Sequence, residues 1–157
     1  MAATSMNTDP APGGDLYLIV GYDGSPPASR ALDAAARLLR GRSGRIDVLY
    51  VGHIPAIDMM SAEAIVEVEA GFDELARDLH AQASEQLRGQ EERWRFERGQ
   101  GAIADVLIKA ADQIRDAHPG GNVAIVVGSS SSAMHRVVGS VAVSLARRAD
   151  VPIVIVP

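Results

Sequence analysis

The sequence predicts an α/β fold: one doubly wound, mostly parallel sheet of five strands with helices on both faces. Strand-like apolar runs alternate with helical patterns along the chain. Two of these runs, 16–20 and 123–127, show no polar alternation, which is typical of strands buried on both faces of a parallel sheet. Alternating strands and helices favour crossover connections, so we expect the helices to cover both faces of the sheet.

Composition limits the function classes. The 157 residues have the length of one domain, and with 47% hydrophobic but only 4% aromatic residues the core must be aliphatic. The absence of cysteine excludes disulfides, thiolate metal sites and cysteine nucleophiles. A net charge of −5 argues against a nucleic-acid-binding module. It leaves small anionic ligands open, because backbone N–H groups bind phosphate without a basic side chain.

The first 15 residues are rich in Ala, Thr, Pro and Gly and lack the pattern of a signal peptide. We predict a flexible tail over 1–15 and a single domain over 16–157. No run approaches the roughly 18 consecutive apolar residues of a membrane span. The sequence therefore predicts a cytoplasmic protein that contacts neither membrane nor nucleic acid.

The first half of the chain predicts two strands and two helices. The strand at 16–20 leads into a turn where Ser25 is a good N-cap, and a helix follows to about Arg40. A second strand spans 45–51, and a loop follows it. The longest helical pattern spans 61–88. Its apolar residues recur at the spacing of one helix face, which predicts a single buried stripe formed by Ile65, Val68, Phe72, Leu75, Leu79 and Ala83.

The second half begins with an alternating segment, 93–98, that is typical of a half-exposed edge strand. Gly99 and Gly101 are expected to turn the chain. A third helix starts near Ile103 and ends at His118. The rest of the pattern is a strand, a serine-rich loop, a helix and a final strand, over 123–127, 128–139, 140–149 and 151–156.

Two loops follow strands that the pattern places inside the sheet. They are 21–25 and 128–140, and ligands of open α/β sheets bind at such carboxyl ends. The second loop has glycines, four serines and a helix start at Gly139-Ser140, which are the ingredients of a phosphate cradle. The alternative is a solvated turn with well-capped ends.

The sequence resembles the universal stress protein family over Leu16 to Pro157. The segments that carry the resemblance are 20–25, 49–51, 126–129 with 139–141, and 147–156. The resemblance implies strand order 3-2-1-4-5, homodimers paired through the last strand, and ATP binding in many members. By similarity, Asp23 would contact the adenosine and the backbone of Val51 the adenine. The ribose and phosphates would lie against Gly128, Ser129, Ser131, Gly139 and Ser140.

The glycine-rich loop departs from the family pattern. Ser131 stands where ATP-binding members have a second glycine. Seven residues separate Ser131 from Gly139, which is two fewer than the resemblance implies for ATP-binding members. His135 and Arg136 could contact phosphate in compensation, or they could be solvated loop residues. The resemblance therefore implies ATP, with or without Mg²⁺, or a smaller adenine nucleotide such as cyclic AMP. The alternatives are a dimeric interaction module without a nucleotide, and an enzyme of another doubly wound family.

Catalytic and metal-binding patterns are weak. The four histidines are too scattered to propose a metal site, and His53 and His118 have no partner in the sequence. No nucleophile–base–acid set can be assembled, so we expect slow ATP hydrolysis at most. Asp23 could bind a ligand or cap its turn. The last strand would be an unpaired edge unless a two-fold dimer covers it, or unless Pro152 blunts it.

Overall fold

A computed structural model describes residues 13–52, 59–129 and 139–157. Every predicted helix and strand is present, with bounds close to those expected. In chain order the elements are β1 (Leu16–Gly21), α1 (Pro26–Leu39), β2 (Gly44–Gly52), α2 (Ala62–Gln86), β3 (Trp94–Gln100), α3 (Ile103–Ala117), β4 (Asn122–Gly128), α4 (Ser140–Arg148) and β5 (Ile153–Val156). The predicted tail falls mostly outside the described residues.

The five strands form one sheet in the order β3-β2-β1-β4-β5, and all four pairings are parallel. This confirms the predicted fold class and strand order. The sheet separates two apolar cores, and alternate residues of β1 belong to each. Leu18 and Val20 pack with α1 and α2, while Tyr17 and Ile19 pack with α3 and α4. The helices therefore cover both faces, with one pair on each.

The predicted buried stripe of α2 is confirmed only in part. Leu79 and Ala83 are buried, Ile65, Val68 and Phe72 are half-buried, and Leu75 is 44% exposed. The ring of Phe72 lies against Gly52, the last residue of β2, where an added Cβ would meet the ring at 2.9 Å. The turns before Phe72 therefore extend past the carboxyl end of β2, where none of the described strands lies beneath them.

Two strand ends also differ from the prediction. Gly99 lies within β3 instead of turning the chain, and glycine is needed there because Val106 of α3 packs where a side chain would be, 2.4 Å from an ideal Cβ. Gly101 does turn the chain, with φ of +117°. The last strand begins at Ile153 instead of residue 151. Among the described helices, none is both long and apolar enough to cross a bilayer.

A polar network lies at the amino end of the sheet. Within the described part of the chain, Asp47 is the one charged residue in the buried class, at 4% exposed. The Nε of Arg45 donates to both carboxylate oxygens of Asp47, at 3.1 and 3.0 Å. The guanidinium carbon also lies 5.2 Å from the ring centre of Tyr17. Arg45, near the start of β2, therefore links Asp47 of its own strand to Tyr17 of β1.

His118 belongs to the same network, so the view that it has no partner is wrong. Its ring stacks on Tyr17 at 4.3 Å between centroids, and Nδ1 lies 3.0 Å from the tyrosine hydroxyl. Nε2 lies 3.5 Å from Nη1 of Arg45, which can only donate. The proton of the neutral ring is therefore assigned to Nδ1, and the Tyr17 hydroxyl donates to Asp15 at 3.3 Å. Sequence separation hid these contacts, since His118 lies 101 residues from Tyr17.

The network predicts a loss of stability at alkaline pH. Burial, and after it the charge of Asp15, raises the pKa of Tyr17 above its ordinary value of 10.0. The unfolded chain ionises this tyrosine at lower pH than the folded chain does. Its contribution is therefore present below pH 10 and is lost as pH rises toward the folded pKa. We expect Tyr17→Phe to flatten the decline in unfolding free energy above about pH 10. Urea unfolding at several alkaline pH values checks this, and an unchanged slope would contradict it.

Candidate functional site

A cavity of about 360 Å³ opens at the carboxyl ends of β1, β2 and β4. β1 lies between β2 and β4, and the helices that follow these strands cross to opposite faces of the sheet. The cavity therefore lies at the point where the strand order reverses, which is the usual ligand site of open α/β sheets. The two loops that the sequence singled out both contribute residues to it.

The loop after β1 is held by a short series of hydrogen bonds. The N–H of Tyr22 donates to the carbonyl of Leu49 at 2.9 Å, which ties the loop to β2. Oδ1 of Asp23 accepts from the N–H of Ser25 at 3.0 Å, across Gly24 with φ of +76°. Asp23 thus caps the turn through one oxygen, which leaves Oδ2 for a ligand. The capping and binding roles of Asp23 are compatible.

Ser25 then starts α1. Its side chain accepts from the N–H of Ala28 at 3.4 Å, and prolines occupy the first two helical positions. Pro27 lies directly over Gly128, the last residue of β4. An ideal Cβ on Gly128 would lie 2.4 Å from both the carbonyl carbon and oxygen of Pro27. Gly128 is therefore needed so that the start of α1 can approach β4 beside the cavity.

Ser129 follows Gly128 and has already used its backbone donor. Its N–H donates to the carbonyl of Val156 in β5 at 2.7 Å. The amide is not free for a phosphate, so only the hydroxyl of Ser129 remains as a donor to a ligand.

Three helices begin at the cavity: α1 with Pro27 and Ala28, α3 with Ile103, and α4 with Ser140. Helix N-termini carry unsatisfied N–H groups and a partial positive charge. The N-cap of α4 is Gly139, which provides no side-chain cap. Among the described lining residues, Asp23 alone carries a full charge at neutral pH. The positive potential on the described wall therefore comes from backbone.

The rest of the wall is apolar, and Val51 is the one residue of it that the sequence singled out. Leu49 and Val51 occupy alternate positions on one face of β2, and the side chains that oppose them come mainly from α3 and β4. The additional apolar lining residues are Ile103, Leu107, Val127, Val141 and Ala142. The signal for Ile103 was its place at a helix start after Gly101. This wall suits a flat, uncharged ring system.

Of the predicted site residues, the structure brings six to the cavity: Asp23, Val51, Gly128, Ser129, Gly139 and Ser140. Ser131, His135 and Arg136 lie outside the described residues, as does His53. Within the described ranges no three His, Cys, Asp or Glu side chains are grouped closely enough to hold a metal ion. The roles of these residues stay predictions.

A sequence profile of the universal stress protein family matches residues 18–157. The chain belongs to the universal stress protein family. No curated protein sequence matches it. The resemblance that 20–25, 49–51, 126–129 with 139–141, and 147–156 carry is thereby confirmed.

Solved universal stress proteins share the fold. The protein UspA from Lactobacillus plantarum is 21% identical, with a TM-score of 0.70 over 92% of this chain and 99% of that one. A universal stress protein solved in complex with cAMP is 21% identical, with a TM-score of 0.62 over 90% and 97%. One from Archaeoglobus fulgidus in complex with dAMP is 20% identical, with a TM-score of 0.55 over 92% and 98%. At these identities the likeness establishes the architecture.

Proposed function

We propose that the protein is a stress-response protein that binds an adenine nucleotide in the cavity between β1 and β4. One observation carries the proposal: the cavity joins an apolar wall to the uncapped N-terminus of α4, with Asp23 beside them. A nucleotide has three parts that would match these features: a flat ring for the apolar wall, a sugar with hydroxyls for Asp23, and an anion for the helix N-terminus. The cAMP and dAMP complexes of structural neighbours support the choice of adenine.

The base would lie against Leu49, Val51 and Ile103. Ile103 is 41% exposed and lies at the first position of α3, so it would cover one side of a ring without being displaced from the core. The backbone of Val51, near the carboxyl end of β2, provides polar groups at the edge of this wall. Burial of a flat ring on such a surface is favourable, at about 25 cal/mol per Å².

The sugar would contact Asp23 and the phosphate would lie at α4. A carboxylate accepts from sugar hydroxyls, and Oδ2 is the oxygen that the turn leaves available. The first N–H groups of α4, at Ser140 and Val141, donate to an anion in the geometry of a helix N-terminus. The hydroxyls of Ser129 and Ser140 add donors at the same end of the cavity.

A ligand with one phosphate suits the described lining better than a triphosphate. The helix termini supply partial charges and Asp23 is negative, so several phosphate charges would have no full positive charge opposite them in the described wall. With the described lining alone, ATP would need an accompanying Mg²⁺ to balance its charge. Cyclic AMP carries a single charge and matches the helix N-terminus directly. We rank cyclic AMP first and ATP with Mg²⁺ second.

The substitution Ile103→Asp tests the site without disturbing the fold. An acidic residue at the first position of a helix is favoured by the helix dipole, which offsets part of the packing lost with the half-exposed isoleucine, so stability should fall only slightly. The new carboxylate would repel an anionic ligand, and we expect affinity for cyclic AMP to fall by at least about tenfold. Ile103→Asn is the matched control, because it has a similar size and no charge. Thermal shift titrations compare them; equal losses for both variants would contradict an anionic ligand in this cavity.

We also propose a homodimer through β5, which would be formed with or without a nucleotide. β5 pairs with β4 on one side, and its Ile155 is 38% exposed. Val143 of α4, also 38% exposed, extends the apolar surface. Two-fold pairing would cover the free edge of the strand.

The dimer predicts a clear response to Ile155→Lys. A lysine here would place two like charges close together across the two-fold axis, so we expect a monomer at concentrations where the wild type is dimeric. Analytical ultracentrifugation measures this. Ile65→Lys on the first half of α2 is the control, and it should not change the oligomeric state. A wild-type protein that stays monomeric would refute the dimer.

Binding, and not rapid turnover, is the proposed activity. Among the described lining residues there is no histidine or lysine that could act as a base beside a serine hydroxyl. Slow hydrolysis of ATP is the most that this wall supports. We propose a cytoplasmic location for the same protein.

A further inference from the structure

We propose that the free edge of β3, with the groove beside it, binds an extended acidic peptide of a partner protein. The groove, of about 520 Å³, lies between α2 and β3. Its lining residues are Asp73, Ala76, Arg77, His80, Phe96 and Arg98. It is separate from the nucleotide cavity, with which it shares no described lining residue.

β3 offers a strand edge. It ends the sheet order and pairs with β2 alone among the described strands. Its seven residues, Trp94–Gln100, are enough to pair with a short peptide. An edge strand presents unpaired N–H and C=O groups, and an extended peptide can add to it as a further strand.

The groove is positioned to receive side chains of such a strand. The residues of α2 that line it recur at the spacing of one helix face, and Phe96 and Arg98 are two apart on one face of β3. Successive side chains of a strand alternate between its faces. Every second side chain of an added peptide would therefore enter the groove between the helix and the edge strand.

The charge of the groove selects an acidic side chain. Arg77 and Arg98 line the groove with a single carboxylate, Asp73, which pairs with Arg98, while Nε of Arg77 donates to the backbone carbonyl of Asp73 at 3.2 Å. Within the lining, two arginines outnumber the one carboxylate, in a chain whose net charge is −5. A peptide carboxylate would find one arginine free of that pair. Arginine binds carboxylates through charge-assisted hydrogen bonds.

Two aromatic rings, those of His80 and Phe96, line the groove. The ring of His80 lies edge-on to Phe96 at 5.4 Å between centroids, and 5.3 Å from Trp94, which lies beside the groove. The rings of His80 and Phe96 would contact the aliphatic part of a glutamate side chain while the arginines bind its carboxylate. A second copy of this chain is a poorer occupant, because two-fold pairing of β3 would bring two positively charged grooves together.

Trp94 is the only tryptophan in the sequence, so its emission reports on the groove. The probe is a capped heptapeptide with serine at each end. Glutamate and valine alternate at the five positions between. We expect a saturable change in emission, and affinity at least about tenfold higher than for the same peptide with lysine in place of glutamate. Methylation of alternate backbone nitrogens in the acidic peptide should abolish binding, because it removes the donors of strand pairing.

Two variants locate the contact. Arg77→Gln and Arg98→Gln should each weaken binding about tenfold, whereas Arg147→Gln on α4 should not. Arg77 is exposed on α2, so its removal leaves the fold intact, as far-UV circular dichroism can verify. Equal binding of the acidic and basic peptides would overturn the proposal. So would binding that survives backbone methylation.

Discussion

Gly128→Ala is expected to lower the free energy of unfolding by about 3 kcal/mol, the upper range for overpacking a well-filled site. The new methyl group would lie 2.4 Å from the backbone carbonyl of Pro27. A flexible side chain could move aside, but this neighbour is the first turn of a helix. α1 would have to shift away from β4, and the loop that carries Asp23 would shift with it. We therefore expect nucleotide binding to weaken together with stability.

Urea unfolding monitored by circular dichroism measures the change. Gly71→Ala is the matched control, because an added Cβ at Gly71 meets nothing within 4 Å and the residue lies inside an exposed part of α2. That substitution should raise stability by about 0.5–1 kcal/mol through helix propensity. If Gly128→Ala is as stable as the wild type, the close packing of α1 on β4 is not as described.

Arg45→Ala should also cost about 3 kcal/mol, since it leaves the Asp47 carboxylate buried without its partner. The two side chains are 19% and 6% exposed, and two hydrogen bonds join them. Removing Arg45 would also take away the cation beside Tyr17 and the donor to His118. The network should loosen as a unit, so single substitutions in it should not be additive.

Two comparisons isolate the buried charge. Arg115→Ala breaks an exposed pair with Asp112, in which the side chains are 44% and 46% exposed, and should change stability by at most about 0.5 kcal/mol. The double variant Arg45→Met with Asp47→Leu should recover most of the loss, because it removes both charges. A loss for Arg45→Ala no larger than that for Arg115→Ala would show that Asp47 is well solvated.

The sequence predicted the sheet well because interior strands have a distinctive composition. Unbroken apolar runs in β1 and β4 identified central strands, and the alternation in 93–98 identified the edge strand β3. The strand order itself came from resemblance to the family. Periodicity failed at α2, where it showed which residues share a face but not that β2 ends at Gly52. The half-buried Ile65 and Val68 are the result.

The candidate site was predictable in part for the same reason. Asp23, Gly128 and Gly139 lie next to strand or helix ends, and local patterns mark such positions. The hydrogen bond from the Ser129 N–H to the Val156 carbonyl was not predictable, because it depends on how β5 pairs with β4. The Tyr17–His118 contact was hidden for a similar reason. It joins residues 101 positions apart, and no sequence pattern around either residue indicates that the other lies beside it.

The nucleotide proposal is tested most directly by calorimetric titration of the nucleotide-free protein with cyclic AMP, with dAMP and ATP–Mg²⁺ titrated in parallel. The account predicts saturable binding of one cyclic AMP per chain. It also predicts weaker binding to the Ile103→Asp variant than to Ile103→Asn. Absence of heat and of thermal stabilisation with all three nucleotides would contradict it, and would favour a universal stress protein that acts as an interaction module alone.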